Sequence, residues 1–152
     1  MAVGAWTFYN KAKKNIGLGS FPLTTAAAKF RMALFLSASN AATATLSVKS
    51  SVTSEVANAN GYTTSGKVFN NTWTAGASAA QYRFNTTSIG VFWSAAAGTI
   101  TGIKFAVIFC SGASATVKKL LCYSQLSTAA FNLAAGNRLT ITPAATGIFN
   151  MA

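Results

Sequence analysis

Histidine is absent from this sequence and carboxylate side chains are nearly so: Glu55 is the only acidic residue among 152, against twelve Lys and Arg. The first absence removes the side chain that most often moves protons near neutral pH and most often ligates metals. The second excludes paired-carboxylate acid–base sites, two-metal sites and Asp-rich calcium or magnesium loops. Ser-His-Asp and Cys-His arrangements cannot be assembled either. No phosphate-binding loop or dinucleotide glycine fingerprint occurs, and GLGS at 17–20 follows a basic helical stretch rather than a strand. Enzyme activity is therefore not expected, nor a cofactor or a metal.

Cysteine is also scarce. Cys110 and Cys122 flank an expected turn in FCSGASATVKKLLC, and their spacing fits no zinc pattern because no other ligand type stands nearby. Two free buried thiols and a disulfide across the hairpin both remain open at this point. No secretion signal is expected, since MAVGAWTFYNKAKK places its charge after its apolar residues. The charge-free run FNTTSIGVFWSAAAGTITGI, between Arg83 and Lys104, is interrupted throughout by Asn, Thr, Ser and Gly, so no membrane span is expected from it.

What the chain has in quantity is apolar residues, 51% against 9% charged, so it is expected to fold, as one domain over residues 1–152. Phe8, Ala12 and Ile16 recur at four-residue steps while Lys11, Lys13 and Lys14 fall on the other side, which predicts a short N-terminal helix over about 6–16, stopped by Gly17 and Gly19. Beyond it the period changes to two. KFRMALFL (29–36) alternates as a half-buried strand, AQYRFN repeats the alternation, and GIKFAVIFC (102–110) is apolar on both faces, as a central strand is. KLLCYSQL pairs with it as a hairpin, and NRLTITP turns Leu139 and Ile141 inward before Pro143 ends the strand. With ATLSVK, KVFNNTW and IGVFW there are about eight short strands separated by small polar loops such as TAGASAA and SAAAG. The expected fold is mainly β, a single-domain antiparallel sandwich or barrel-like body with one short N-terminal helix.

The lone acid falls in TSEVANANGYTTSGK (53–67), between strands. Asn60-Gly61 is a favoured turn pair because both residues accept positive φ, and Gly66 adds a second flexible point. Glu55 is expected to act locally, accepting backbone N–H groups or pairing with a cation of its own chain or a neighbour, because no proton-transfer or metal partner exists for it.

A net charge of +11 on a domain of this size repels itself, so an anionic partner is expected. KFRM and YRF interleave cations and aromatics as a single-strand nucleic-acid binder does. Against that reading, those aromatics share a face with core residues and the cations are spread along the chain. An acidic protein lattice is the other partner class, with Lys11, Lys13, Lys14, Lys118 and Lys119 as the contacts that charge complementarity favours. Trp6, Trp73 and Trp93 are large enough to anchor an interface, but core packing is their expected duty.

WTFYNKAKKNI, KFRMALFLSASNAATAT, TSEVANANGYTTSGK, FAVIF with KLLCYSQL, and the closing GNRLTITPAATGIFNM resemble a family of small virion proteins of tailed bacteriophages, over most of the chain. The resemblance implies a structural part of the particle without catalytic residues: a decoration or cement subunit that stabilises the shell by bridging capsomers, or else a tail or head–tail component. It implies the major capsid protein or other virion proteins as partners, a homo-oligomeric state, no membrane association, and a place in the virion assembled in the host cytoplasm. The scarcity of acids, with lysines in the first helix, departs from the family's pattern and bears on which surface binds.

Overall fold

The computed structural model describes residues 5–21, 23, 30–75, 82–86, 90–111, 118–143 and 147–151, and only the backbone of 73–75, 82–86, 150 and 151. Its spine is the eleven-residue strand Ile100–Cys110, β7 in chain order. Along one edge β7 pairs antiparallel with β2 (Phe30–Leu36), from Phe30 opposite Cys110 to Leu36 opposite Ile103. β8 (Leu120–Gln125) and the short β9 (Phe131–Leu133) share its other edge, β9 taking the stretch from Ile100 to Ile103 that β8 does not reach. β1 (Thr7–Phe8) pairs with β8, and β3 (Lys67–Phe69) with β2, which completes the order β1-β8-β7-β2-β3.

Two smaller antiparallel sheets complete the fold. β6 (Val91–Ser94) pairs with β10 (Arg138–Ile141), and β4 (Asn71–Ala75), β5 (Tyr82–Thr86) and β11 (Phe149–Met151) form the other, in the order β11-β5-β4. Val91, Trp93, Leu139, Ile141 and Phe149 of these strands join one hydrophobic core with the buried residues of β2, β7 and β8. The fold is thus mainly β, with antiparallel sheets and one short helix, as the alternating sequence predicts.

The helix, α1, covers Asn10–Gly17 rather than 6–16. Thr7 and Phe8 are drawn instead into β1 against Tyr123 and Cys122, because pairing satisfies backbone groups that a first helical turn leaves open. Ala12 is buried and Ile16 packs against the core, while Lys11, Lys13 and Lys14 are exposed. The chain past α1 turns where Gly19 takes φ 62°.

The half-buried reading of β2 needs correction: Ala33 and Phe35 are as fully buried as Met32 and Leu34, since β2 lies between β7 and β3 with cover on both faces. ATLSVK is no strand either. Only Val48 forms a bridge, to Lys119, before a single 3₁₀ turn over Lys49–Ser51. KVFNNTW divides into β3 and β4. Lys29, the loop at 76–80, the turn at 112–117 and the side chains of Trp73, Tyr82, Arg83 and Phe84 lie outside what the structure describes. Trp93 is fully buried and Trp6 half-buried against the core. Cys110 and Cys122 are both buried and both free.

Candidate functional site: a carboxylate clasp and a basic end

β2 has an edge that β3 covers only from Phe30 to Met32. The segment holding Glu55 continues that edge: Glu55 bridges to Phe35, the Leu36 N–H donates to the Ser54 carbonyl over 2.9 Å, and the Val56 N–H donates to the Leu34 carbonyl over 3.0 Å. Between the two pairings the Leu34 N–H would be a buried orphan. It donates instead to the Tyr62 hydroxyl at 3.1 Å, so a side chain supplies the missing rung.

Tyr62 is placed there by the turn before it. Asn60 and Gly61 take φ values of 55° and 92°, and a Cβ on Gly61 would stand 2.1 Å from the Ser94 carbonyl oxygen. The Asn60 amide donates to the Thr99 carbonyl over 2.9 Å, and its own carbonyl accepts from the Ala96 N–H. The turn is thereby fastened to the ends of β6 and β7. Gly66 is tighter still, since at φ 63° an added Cβ would meet the Met32 carbonyl oxygen at 2.0 Å.

Both oxygens of Glu55 are engaged. Oε1 accepts from the Tyr62 hydroxyl at 2.8 Å and from the Ser65 N–H at 2.6 Å, and Oε2 pairs with the Lys49 ammonium. The pair is shielded, with side chains only 16% and 10% exposed, so removing one partner would strand the other's charge away from water and cost more than at an open surface pair. Ser65, at φ 71°, is held at every polar group: its carbonyl accepts from Arg31 Nε at 2.8 Å and its hydroxyl bonds Lys118 Nζ at 3.2 Å. Arg31 also reaches the Gly66 carbonyl, at 2.9 Å. Burial pushes the Tyr62 hydroxyl far above its ordinary pKa, and the charge of Glu55 and the bond to it push the same way, against the opposing Leu34 N–H and Arg31.

This arrangement locks a loop. Glu55 has no oxygen free for a substrate proton, and its contacts are a lysine, a tyrosine and a backbone amide. A cleft of about 130 Å³ lies near Asn60, lined by Leu36, Val56, Ala57, Ala59, Thr99, Ile100 and Thr101, with no titratable group. Among the described residues no three metal-ligating side chains cluster.

The same topology gathers the cations. β2 begins, β7 ends and β8 begins at one end of the large sheet, where Phe30 faces Cys110 and the Cys110 N–H donates to the Lys119 carbonyl over 2.9 Å. Val48 bridges to Lys119, the Lys49 N–H bonds the Lys118 carbonyl, and Lys67 faces Met32. α1 is tied to this end on both sides. Before it, Tyr9 and Asn10 donate to the Leu121 and Ala44 carbonyls; after it, Phe21 packs on Phe30 with ring centroids 6.2 Å apart. Lys11, Lys13, Lys14, Arg31, Lys49, Lys67, Lys118 and Lys119 thus lie at one end, eight of the chain's twelve cations, with Glu55 as their sole counter-charge. Lys11, Lys13, Lys14 and Lys118 are exposed and Lys119 is half-buried. The sequence shows these cations as scattered; pairings between residues as far apart as Tyr9 and Leu121 unite them.

No helix among the described residues is long and apolar enough to cross a membrane. No family model, no curated protein and no solved structure matches this chain.

Proposed function

We propose that this chain is a non-enzymatic adhesive subunit of an assembled particle, and specifically a decoration or cement protein that joins the capsid of a tailed phage and bridges its capsomers. The observation that carries the reading is the basic end: eight cations face one carboxylate, and that carboxylate is already held inside the fold by Lys49, Tyr62 and Ser65. Unpaired positive charge gathered at one end of a rigid β body favours docking on an acidic surface and speeds the encounter. A capsid repeats one acidic patch many times, so each subunit adds interface area that resists separation of the shell, and a symmetric oligomer would multiply it. The resemblance to small phage virion proteins supports the same setting. A tail or head–tail position would use the same chemistry.

The test is co-sedimentation with DNA-free shells across a salt series, comparing the wild type with a variant in which Lys11, Lys13, Lys14 and Lys118 are Gln. Occupancy is expected to fall with salt for the wild type and to be low at all salt for the variant. Equal occupancy of both proteins at every ionic strength removes these lysines from the account, and absence of the protein from shells removes the decoration role. A nucleic-acid binder, the competing class, would instead show affinity for DNA that falls steeply with salt.

A further inference from the structure

Strand β6 alternates buried and exposed residues, so Val91 and Trp93 enter the core while Phe92 faces outward. Phe92 remains 38% exposed. Two cations from different strands lie over its ring: the Arg138 guanidinium carbon at 3.7 Å from the centroid and Lys67 Nζ at 4.5 Å. Arg138 arrives from β10 as a diagonal neighbour, since Phe92 stands opposite Thr140 and Ser94 opposite Arg138. Lys67 arrives from β3, at the basic end of the large sheet.

This trio has no internal charge balance. Two cations on one ring repel each other, and the only carboxylate side chain of the protein is bound to Lys49, Tyr62 and Ser65 elsewhere. Among the described residues, no acceptor takes a hydrogen bond from Arg138. Contact with the ring holds the guanidinium in place, so its N–H fork can grip a carboxylate with little ordering cost. An aromatic and an arginine side by side form the composition that dominates binding hot spots.

We propose that Phe92, Lys67 and Arg138 form the anchor by which this subunit grips a carboxylate-bearing protein surface. The anchor rests on the adhesive reading above and names its partner chemistry. Base stacking fits less well, since a base needs an open aromatic face and here both cations lie over the ring; a phosphate reaches the cations as a carboxylate does, and the oligo-dT arm of the experiment separates the two.

The experiment measures binding to poly-L-glutamate and, in a second arm, to a twenty-nucleotide oligo-dT, at 0.05 and 0.15 M salt. The variants are Phe92→Ala, Arg138→Gln, Arg138→Lys, the triple Lys11/Lys13/Lys14→Gln, and, as a control outside the trio, Lys104→Gln, whose ammonium lies over the Phe105 ring instead. Folding of each is verified by circular dichroism; Phe92 and Arg138 lie outside the core, so their replacement leaves it intact. Phe92→Ala and Arg138→Gln are expected to weaken poly-glutamate binding about tenfold, Arg138→Lys severalfold because the fork is lost, and Lys104→Gln less than twofold. If the helix-lysine variant loses affinity while the Phe92 and Arg138 variants keep it, the anchor is overturned and the adhesive reading stands. If oligo-dT binds more tightly than poly-glutamate through the same residues, the partner class is overturned. Absence of any poly-glutamate binding by the wild type defeats both.

Discussion

The Tyr62 hydroxyl donates its single proton to Glu55 Oε1 across 2.8 Å, and that bond fixes which way the tyrosine serves the rest of the fold. With its hydrogen committed, the oxygen is left to accept the Leu34 N–H at 3.1 Å, and the ring lies against Trp93 with centroids 6.5 Å apart and 26° between planes. One side chain therefore connects the only carboxylate, the edge of β2 and the core under β6.

Breaking this connection is predicted to cost stability at either partner. Tyr62→Phe keeps the ring but leaves the Leu34 N–H unsatisfied, at about 1–2 kcal/mol. Glu55→Gln leaves Lys49 without its counter-charge in a mostly shielded position, at about 2–3 kcal/mol. Urea unfolding of both single variants and the double variant checks this. The double variant should lose less than the sum, because the two share a bond. Full additivity would mean that the bond contributes nothing to folding.

Alkaline pH should unfold the protein earlier than its lysine-rich surface suggests. Tyr9 is fully buried, donates to the Ala41 carbonyl at 2.7 Å, and has its pKa driven far up by burial, with Cys122 and Tyr123 adding to the effect. Tyr62 is driven up in the same way. Both stay protonated in the folded state while the unfolded chain begins to lose these protons near pH 10.0, so stability is fully present below that pH and falls above it. Each tyrosine contributes a slope of about 1.4 kcal/mol per pH unit. Burial also pushes the Cys122 thiol well up, so urea midpoints should begin to decline near pH 9.0 and fall more steeply above pH 10.0, where Tyr9→Phe should flatten the decline by about a third. A decline of unchanged steepness in that variant would refute the assignment.

Positive φ alone and positive φ with crowding should be separable by substitution. Gly19 and Gly136 take φ values of 62° and 82° with open space where a methyl group would stand, so Ala there should cost about 1–2 kcal/mol. At Gly66 the same methyl meets the Met32 carbonyl oxygen at 2.0 Å, and β2 cannot yield without breaking its pairing with β7. Gly66→Ala should therefore cost more than about 3 kcal/mol or prevent soluble expression. A thermal melt of Gly66→Ala matching that of Gly19→Ala would contradict the close packing of this turn on β2.

The strands whose alternation runs long enough are the ones legible in the sequence. β10 is an instance: Leu139 and Ile141 are buried and Arg138 is exposed, as period two requires. β1, β9 and β11 span two or three residues, too few for any period to register, and they exist because a long neighbour offers them an edge. ATLSVK carries the right alternation but has a partner only at Val48, so its pattern never becomes a strand. The turn at Asn60-Gly61 is readable from residue type, since φ preference is local. The trio around Phe92 is not, because Lys67, Phe92 and Arg138 meet only once three strands have found their places.

The gathered charge leads to a last prediction that needs no partner. Lysines in the folded state lie closer together at the basic end than they do in the unfolded chain, so their repulsion opposes folding. Salt screens that repulsion, with a Debye length of about 10 Å at 0.1 M and about 3 Å at 1 M. Urea midpoints of the wild type should rise as NaCl increases from 0.01 to 0.5 M. Replacing Lys11, Lys13 and Lys14 by Gln should raise stability at low salt by about 0.5–1 kcal/mol and flatten the salt response, since these exposed side chains have no carboxylate to lose. Such a variant would be more stable and less adhesive, the trade expected where charge is kept for binding at the expense of folding. A wild-type midpoint that falls with added salt would show that attraction, not repulsion, governs this end of the molecule.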